Sequence, residues 1–582
     1  MFRLLVVLFC MKQLDREVNT SVKQTRNSKK LISNQFYSKN ESWWLIGFSM
    51  LLASGIMIEP QLICSSLIKG QLSEMWLYWS AAIGSAFSVS FFAHLWKNVP
   101  VKTENEFLFF RYSGKGATVL HSFRSLYLGL LIIPFLISFS VLAFSKIVCF
   151  IIGIELRVAI ILATLLLILL TFFNSLKSRL RIDFVLFIVF IISFLIISFS
   201  LYQNTGGLAH LASTIQSSKT NFDIIPTIGS KTFNAFIVFM LVQWWSASIL
   251  DYPDMNGQKL MATHTSKDLL KSVFIPSLSI VLFRVLLFTL PFMAVSYGFA
   301  FDTTDSELAF TSLFVNVLPS WMLVLVIVLF MIPFLSFVQN TQNWGGSLLI
   351  ENFYKHTINP DLSDAKAKKF GILAMIYIIL VAGGIAIYSD SLVGITKYLF
   401  AITAGVGPVF MLRWYWWRIN AWSQLSAMLA ALVYPPVLDW FYDHNKVIHE
   451  LLISLEHNFN IDYYPIKIII LTLAVCLTWL VVTFSTAPTA TKTLETFAAT
   501  IKPGGFWKPF NNSGKAFSKL RLFAWLLQTG NGFLLYFIFW NFLIANYALF
   551  MGLLLLFVLS FFVSYQLIQK ANANYELELE KN

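Results

Sequence analysis

Apolar runs of bilayer-spanning length recur along the chain from residue 43 onward, separated by short polar stretches. About fourteen can be drawn, near 43–69, 74–96, 118–146, 150–174, 182–203, 232–250, 272–298, 319–340, 370–388, 394–415, 420–440, 465–487, 521–545 and 547–569. A helix needs ~20 residues to cross the hydrocarbon core. The runs are continuous rather than alternating, so they predict helices, which satisfy their own backbone groups in lipid. The predicted fold class is an all-α integral membrane protein.

The first run is unusual. Trp43–Lys69 reads WWLIGFSMLLASGIMIEPQLICSSLIK and carries Gly55 and then Glu59-Pro60 near its middle. Proline removes a backbone donor and clashes with the preceding turn. A carboxylate at mid-depth costs about 2.5–3.5 kcal/mol or more. A spanning helix broken at mid-depth, with an acid at the break, is the arrangement transporters use for a binding site. The first ten runs divide five and five, about 43–203 and 232–415. The second set opens on FNAFIVFMLVQWWSASILDYPD, with Gln243 and Ser246 inside the apolar run. An odd number of spans per set makes the two sets inverted repeats. The division rests on spacing, not on residue-level self-similarity.

Charge orients this pattern. The 582 residues are 57% hydrophobic and 12% charged, with net charge +13, against about 25% charged in soluble domains. The cations lie in short loops rather than in a continuous patch, which argues against nucleic acid and for the lipid bilayer as partner. Alternate loops near 97–117, 175–181, 251–271, 341–369, 416–419 and 488–520 hold 20 of the 42 Lys and Arg, including Arg111, Arg179 and Arg418. The intervening loops hold Asp302, Asp305, Glu307, Asp390, Asp443, Glu450, Glu456 and Asp462. The positive-inside rule then places both termini in the cytoplasm. The expected organisation is a basic cytoplasmic segment 1–41, a ten-helix core 42–415, peripheral spans 416–487, a cytoplasmic linker 488–520, a terminal span pair 521–570 and a solvated tail 571–582. Met1–Cys10 is too short to span and lacks a small-residue cleavage site, which argues against a signal peptide. It has the size of the end of a truncated leading helix.

Cys10, Cys64, Cys149 and Cys476 are scattered, without metal or disulfide spacing, and read as packing thiols. No phosphate-cradling loop, metal-binding His pair or nucleophile motif is present, so catalysis and cofactors are not expected.

Several strings carry a specific resemblance: SWWLIGFSM at 42–50, TENEFLFFRYSGKGA at 103–117, FRSLYLGLLI at 123–132, LVQWWSAS at 241–248, QNWGGSLLIENFYK at 342–355 and LRWYWWRINAWSQLSAM at 412–428. On these the chain resembles the sodium:solute symporter family, in a bacterial branch. The resemblance implies a LeuT-like fold, a 5+5 inverted repeat of ten core helices, here with about four peripheral C-terminal transmembrane helices. It implies a multi-pass protein of the bacterial inner membrane that takes up a small-molecule solute with sodium as coupling ion. It also implies a sodium site of carbonyls at positions matching Leu52 and Gly55, a carbonyl at Pro333, and hydroxyls at positions matching Ser336 and Phe337. Ser336 has the hydroxyl and Phe337 does not. The chain also departs from the branch at Ile58-Glu59-Pro60, at Met255-Asn256-Gly257, and in the string after Arg284.

Each candidate has a functional and a structural reading. Glu59 is a substrate or ion contact, or an acid paired for structure; burial would also let it carry a proton. Arg284 pairs with Glu59 or an anionic substrate, or binds broken-helix carbonyls. Gln243, Trp244 and Trp245 form a substrate-pocket wall, or the Trp pair is an interfacial belt. Gln339–Asn343 lines a release path or ends a helix at the interface. Trp414–Trp417 anchors a helix end at the inner interface. The expected function is secondary active transport, sodium-coupled symport by alternating access. The alternatives are a proton-coupled carrier using Glu59 and a solute-sensing protein on the same scaffold.

Overall fold

The computed structural model describes residues 42–54, 58–69, 72–101, 105–172, 176–217, 224–247, 268–273, 289–296, 298, 305–389, 391–510 and 518–580. The principal helices are α1 (Trp43–Leu52), α2 (Glu59–Ile68), α3 (Ala81–Phe91), α4 (Phe107–Arg111), α5 (Gly114–Leu126), α6 (Ile133–Ile152), α7 (Leu156–Thr171), α8 (Leu176–Asn204) and α9 (Lys231–Val238). They continue as α10 (Ala309–Val317), α11 (Ser320–Ser347), α12 (Asp364–Ile387), α13 (Leu392–Ala401), α14 (Gly407–Tyr415), α15 (Ala421–His444), α16 (Tyr463–Ser485), α17 (Thr491–Ile501), α18 (Lys519–Leu543) and α19 (Tyr547–Glu580). Wide turns at Tyr127–Ile132 join α5 and α6 into one rod, and wide turns at Leu348–Ile358 extend α11.

Four helices make a frame. Helix α6 packs on α11 and α12, and α7 packs on all three. Their shared core includes Ile137 and Val141 of α6, Phe330 and Phe334 of α11, and Ile378 and Ala382 of α12. Phe144 stacks on Phe334 at 4.5 Å. Helices α7 and α12 approach at Gly383, where a Cβ would meet the Thr164 hydroxyl at 2.6 Å. Beside this frame, α1 packs on α8 and α11, and α2 on α10. Peripheral pairs α15–α16 and α18–α19 flank the core, with α18 against α3.

Eight helices among the described residues are long and apolar enough to cross a membrane, against about fourteen expected runs. Part of the shortfall has a local cause. The run 43–69 is split into α1 and α2, and the run 394–415 into α13 and α14. The second split falls at Gly405, whose φ of +79° suits glycine and where a Cβ would meet Val475 at 2.7 Å. The Gly405 amide donates to the Ser246 carbonyl at 3.1 Å and to its hydroxyl at 3.0 Å. Each half-helix is too short to span alone. The run 272–298 lies mostly outside the described residues.

The basic end is closed by a ring-rich cluster. Phe91, Trp96, Phe107, Trp414, Phe497, Trp507 and Tyr575 are buried together. Arg111 sits among them fully buried, donating to the Arg413 carbonyl at 2.5 Å and the Trp416 carbonyl at 3.0 Å. Its guanidinium lies 5.1 Å from the Trp507 ring centre and 5.2 Å from Phe497. Burial pushes it down to about 10, and nearby Arg413 adds to that. It stays cationic at neutral pH, held by carbonyls and ring faces. Trp414 is therefore buried packing, not an interfacial anchor. Between residues 488 and 520, α17 forms and Trp507 donates to the Trp414 carbonyl at 2.8 Å. The expected solvated tail is helical through Glu580, with Tyr575 buried and donating to the Ile501 carbonyl.

Candidate functional site

The first core helix is broken where its sequence predicts. Helix α1 ends at Leu52, and the chain turns tightly as Ser54 N donates to the Leu51 carbonyl at 3.2 Å. Helix α2 starts at Glu59 with Pro60 in its first turn, where a missing N–H costs nothing. Leu52 and Glu59 are both buried. Gly55 lies between them, outside the described residues, as do Arg284 and Met255-Asn256-Gly257.

A polar node sits beside α1. Asp183 of α8 is fully buried. Its Oδ2 accepts from the Ser49 hydroxyl at 2.5 Å and from Asn340 Nδ2 at 3.4 Å. Asn340 Nδ2 also reaches the Ser336 carbonyl at 2.7 Å and its hydroxyl at 3.4 Å. Arg179, one turn before Asp183, lies 3.4 Å from Oδ1 and donates to the Leu335 carbonyl at 3.1 Å. The node joins the first half of the broken helix to α8 and α11. It collects a carboxylate and two hydroxyls, which are hard oxygen donors of the kind a small cation takes. It also holds a guanidinium that already offsets the carboxylate charge. Arg179 is thus part of the core and not a loop cation.

The other expected ion ligands fall on the same helix. Pro333, buried inside α11, removes the hydrogen bond to the Leu329 carbonyl. Ser336 is fully buried at the node. Phe337 is half-buried, with its ring on the main apolar core, and its carbonyl accepts from Thr341 at 2.7 Å. Asn340, Thr341, Gln342 and Asn343 are all buried, so this polar run faces the protein interior.

Gln243 belongs to a second group. It is buried at the end of the wide turn Phe239–Gln243. Its amide adjoins the Tyr464 hydroxyl. Neither amide atom of Gln243 nor the hydroxyls of Tyr464 and Tyr78 forms a hydrogen bond of normal geometry. Buried polar atoms are usually paired. Tyr78 faces Thr396 of α13, and the Lys397 ammonium lies 5.2 Å from the Tyr464 ring centre. Neutral donors and acceptors thus converge from four segments. The Trp pair separates from them: Trp244 packs against Phe87 and Trp525, each at 5.8 Å, and Trp245 donates to its own helix at Leu241.

Asp183, Tyr78 and Tyr464 were not singled out by sequence. Arg179 and Asp183 stand four residues apart, a helical ion-pair spacing, and that was the available signal.

The profile of the sodium:solute symporter family matches residues 62–431. A solved structure of a Na+-coupled sialic acid symporter, in a substrate-bound outward-open state, aligns with TM-score 0.56 at 15% identity, covering 80% of this chain and 94% of that one. The transporter MHP1, of the nucleobase-cation-symport-1 family, in a closed conformation with bromovinylhydantoin bound, aligns with TM-score 0.47 at 12% identity, covering 80% and 99%. No curated protein matches the chain.

Proposed function

The chain belongs to the sodium:solute symporter family, and from that premise we propose that it is a secondary active transporter, carrying a small solute with sodium by alternating access. The observation that supports this best is the node at the helix break. Ser49, Asp183, Ser336 and Asn340 draw one half-helix onto two others through oxygen-rich contacts. A cation bound there would change how tightly α1 packs on α8 and α11, and so couple ion occupancy to the state of the pathway. The basic end is the cytoplasmic end in this reading, by the positive-inside rule.

Solute recognition falls to the second group. Gln243, Tyr78 and Tyr464 present neutral donors and acceptors, with Glu59 supplying an acid at the break. Such a lining suits a hydroxyl- or amide-bearing solute, because buried polar groups select by hydrogen bonding. Flux into vesicles under an imposed sodium gradient tests the proposal. Stimulation by sodium supports it, and flux that ignores sodium but follows a proton gradient overturns it.

That second outcome is a reading with its own support. Phe337 places a ring where the family has a hydroxyl, and Arg179 puts a fixed positive charge 3.4 Å from the Asp183 carboxylate. A carboxylate already neutralised by a fixed guanidinium needs no sodium, and Glu59 would then be the proton carrier.

A further inference from the structure

Away from the node, at the end opposite the basic loops, a buried lysine is tied to a short acidic segment. Lys146 of α6 is 1% exposed, and its ammonium lies 2.7 Å from Asp305 Oδ2 and 2.7 Å from Glu307 Oε2. Glu307 is itself buried. Its Oε1 accepts from the Leu392 amide at 2.9 Å, the Ser391 hydroxyl at 3.0 Å and the Val393 amide at 3.4 Å. These are the unsatisfied amides at the start of α13, and a carboxylate there also meets the positive end of the helix dipole. Asp305 Oδ1 accepts from the Glu307 amide at 2.8 Å, fixing the segment's own turn. Between the two acids, the Ser306 and Ser65 hydroxyls meet at 2.8 Å. Three consecutive residues therefore join α2, the frame helix α6 and α13.

We propose that Glu307 is the positioning residue of the outer gate. Its carboxylate holds the first turn of α13 against Lys146 of the frame, and the pathway opens on that side only when the contact is released. This rests on the reading of the chain as an alternating-access carrier. Helix α13 carries Thr396, one turn in, which faces Tyr78 in the neutral polar group. Swinging α13 away from the frame would expose that group to the outer side. The frame end of the latch is fixed, because α6 packs on α11 and α12. The α13 end is a half-helix, separated from α14 by the break at Gly405. Asp305 shares the ammonium but does not reach α13, so the charge-assisted link from Lys146 to the α13 amides runs through the Glu307 carboxylate and is lost when that group leaves.

The test uses the full chain with its four cysteines replaced by alanine and Thr396→Cys as reporter. An impermeant cationic methanethiosulfonate is applied from the outer side of right-side-out vesicles. Glu307→Gln keeps the shape and removes the charge. It should raise the labelling rate at position 396 at least about tenfold, as expected when a buried ion pair loses one charge. Glu307→Asp should fall between, and Lys146→Met should match Glu307→Gln. Should these variants fail to fold, the pair Ser65→Cys and Ser306→Cys, with the reporter, decides instead. Oxidation should suppress labelling and reduction restore it. A rate unchanged by Glu307→Gln, or labelling that persists in the oxidised pair, overturns the proposal. The measurement needs no solute. Labelling that responds as stated supports the gate even if no flux is found, in which case the transport reading alone falls.

Discussion

The Ser49 hydroxyl donates a 2.5 Å hydrogen bond to the buried carboxylate of Asp183, tying the first half of the broken helix to α8. Both side chains are fully buried. The contact therefore carries the desolvation penalty of whichever partner is left behind when the other is removed. Ser49→Ala should lower stability by about 1–3 kcal/mol. Asp183→Ala should cost more, about 3–5 kcal/mol, because it strands Arg179 in the core. Thermal unfolding of the purified variants in detergent reads both. Equal, small losses would show that the node is wetter than its burial implies.

If sodium binds beside Ser336, restoring the missing hydroxyl should tighten it. Phe337→Thr gives up packing on the main apolar core, so the variant should be less stable without sodium, by about 1–3 kcal/mol. Sodium should then stabilise it more than it stabilises the parent, since any ligand of the folded state adds stability by mass action. The readout is the melting temperature against sodium concentration, with potassium as control. A sodium response no larger than the parent's would remove Phe337 from the ion site.

How much of this was legible in the sequence depends on where partners sit along the chain. The break at Glu59-Pro60 could be read locally, because both residues carry their meaning with them. The pair Arg179 and Asp183 is also local, but it stands at the edge of an apolar run, where basic residues look like a loop. Lys146 is visible as a cation inside an apolar run. Its partners at 305 and 307 lie some hundred and sixty residues on, in a stretch that reads only as an acidic outer loop. Trp414 looks like part of an interfacial belt, because nothing in its own neighbourhood announces Trp507 and Phe497. Local punctuation was legible, and long-range polar pairing was not.

The basic end gives a separate expectation. Arg111 is held by carbonyls of residues 413 and 416 and by ring faces, with Trp507 contributing both a ring and a donor to the Trp414 carbonyl. Trp507→Ala removes a fully buried side chain and should destabilise by about 3–5 kcal/mol. Arg111→Lys should also destabilise, because an ammonium cannot reproduce the fork that reaches two carbonyls. Limited proteolysis within 502–510 should accelerate in both variants if α17 and the segment after it loosen from the core. Cleavage at the parental rate would mean that α17 is held by other contacts.

The neutral polar group makes the sharpest statement about the solute. Gln243 offers a donor and an acceptor that the folded chain leaves without normal partners, and Tyr464 and Tyr78 do the same with their hydroxyls. If a solute supplies the missing partners, Gln243→Ala should weaken its binding, whereas an amide serving only the fold would lose stability instead. Tyr464→Phe is the cleaner change, since it deletes one hydroxyl and keeps the ring. A hydrogen bond of this kind contributes about 0.5–1.5 kcal/mol, so affinity should fall roughly threefold to tenfold with little change in the unliganded melting temperature. The measurement is solute-induced thermal stabilisation over a panel of neutral, cationic and anionic small molecules, with parent and variant side by side. Binding of a hydroxylated or amide-bearing solute that weakens in Tyr464→Phe would assign the group to recognition. A binder whose affinity ignores both changes would place recognition elsewhere, with Glu59 at the helix break as the next residue to substitute.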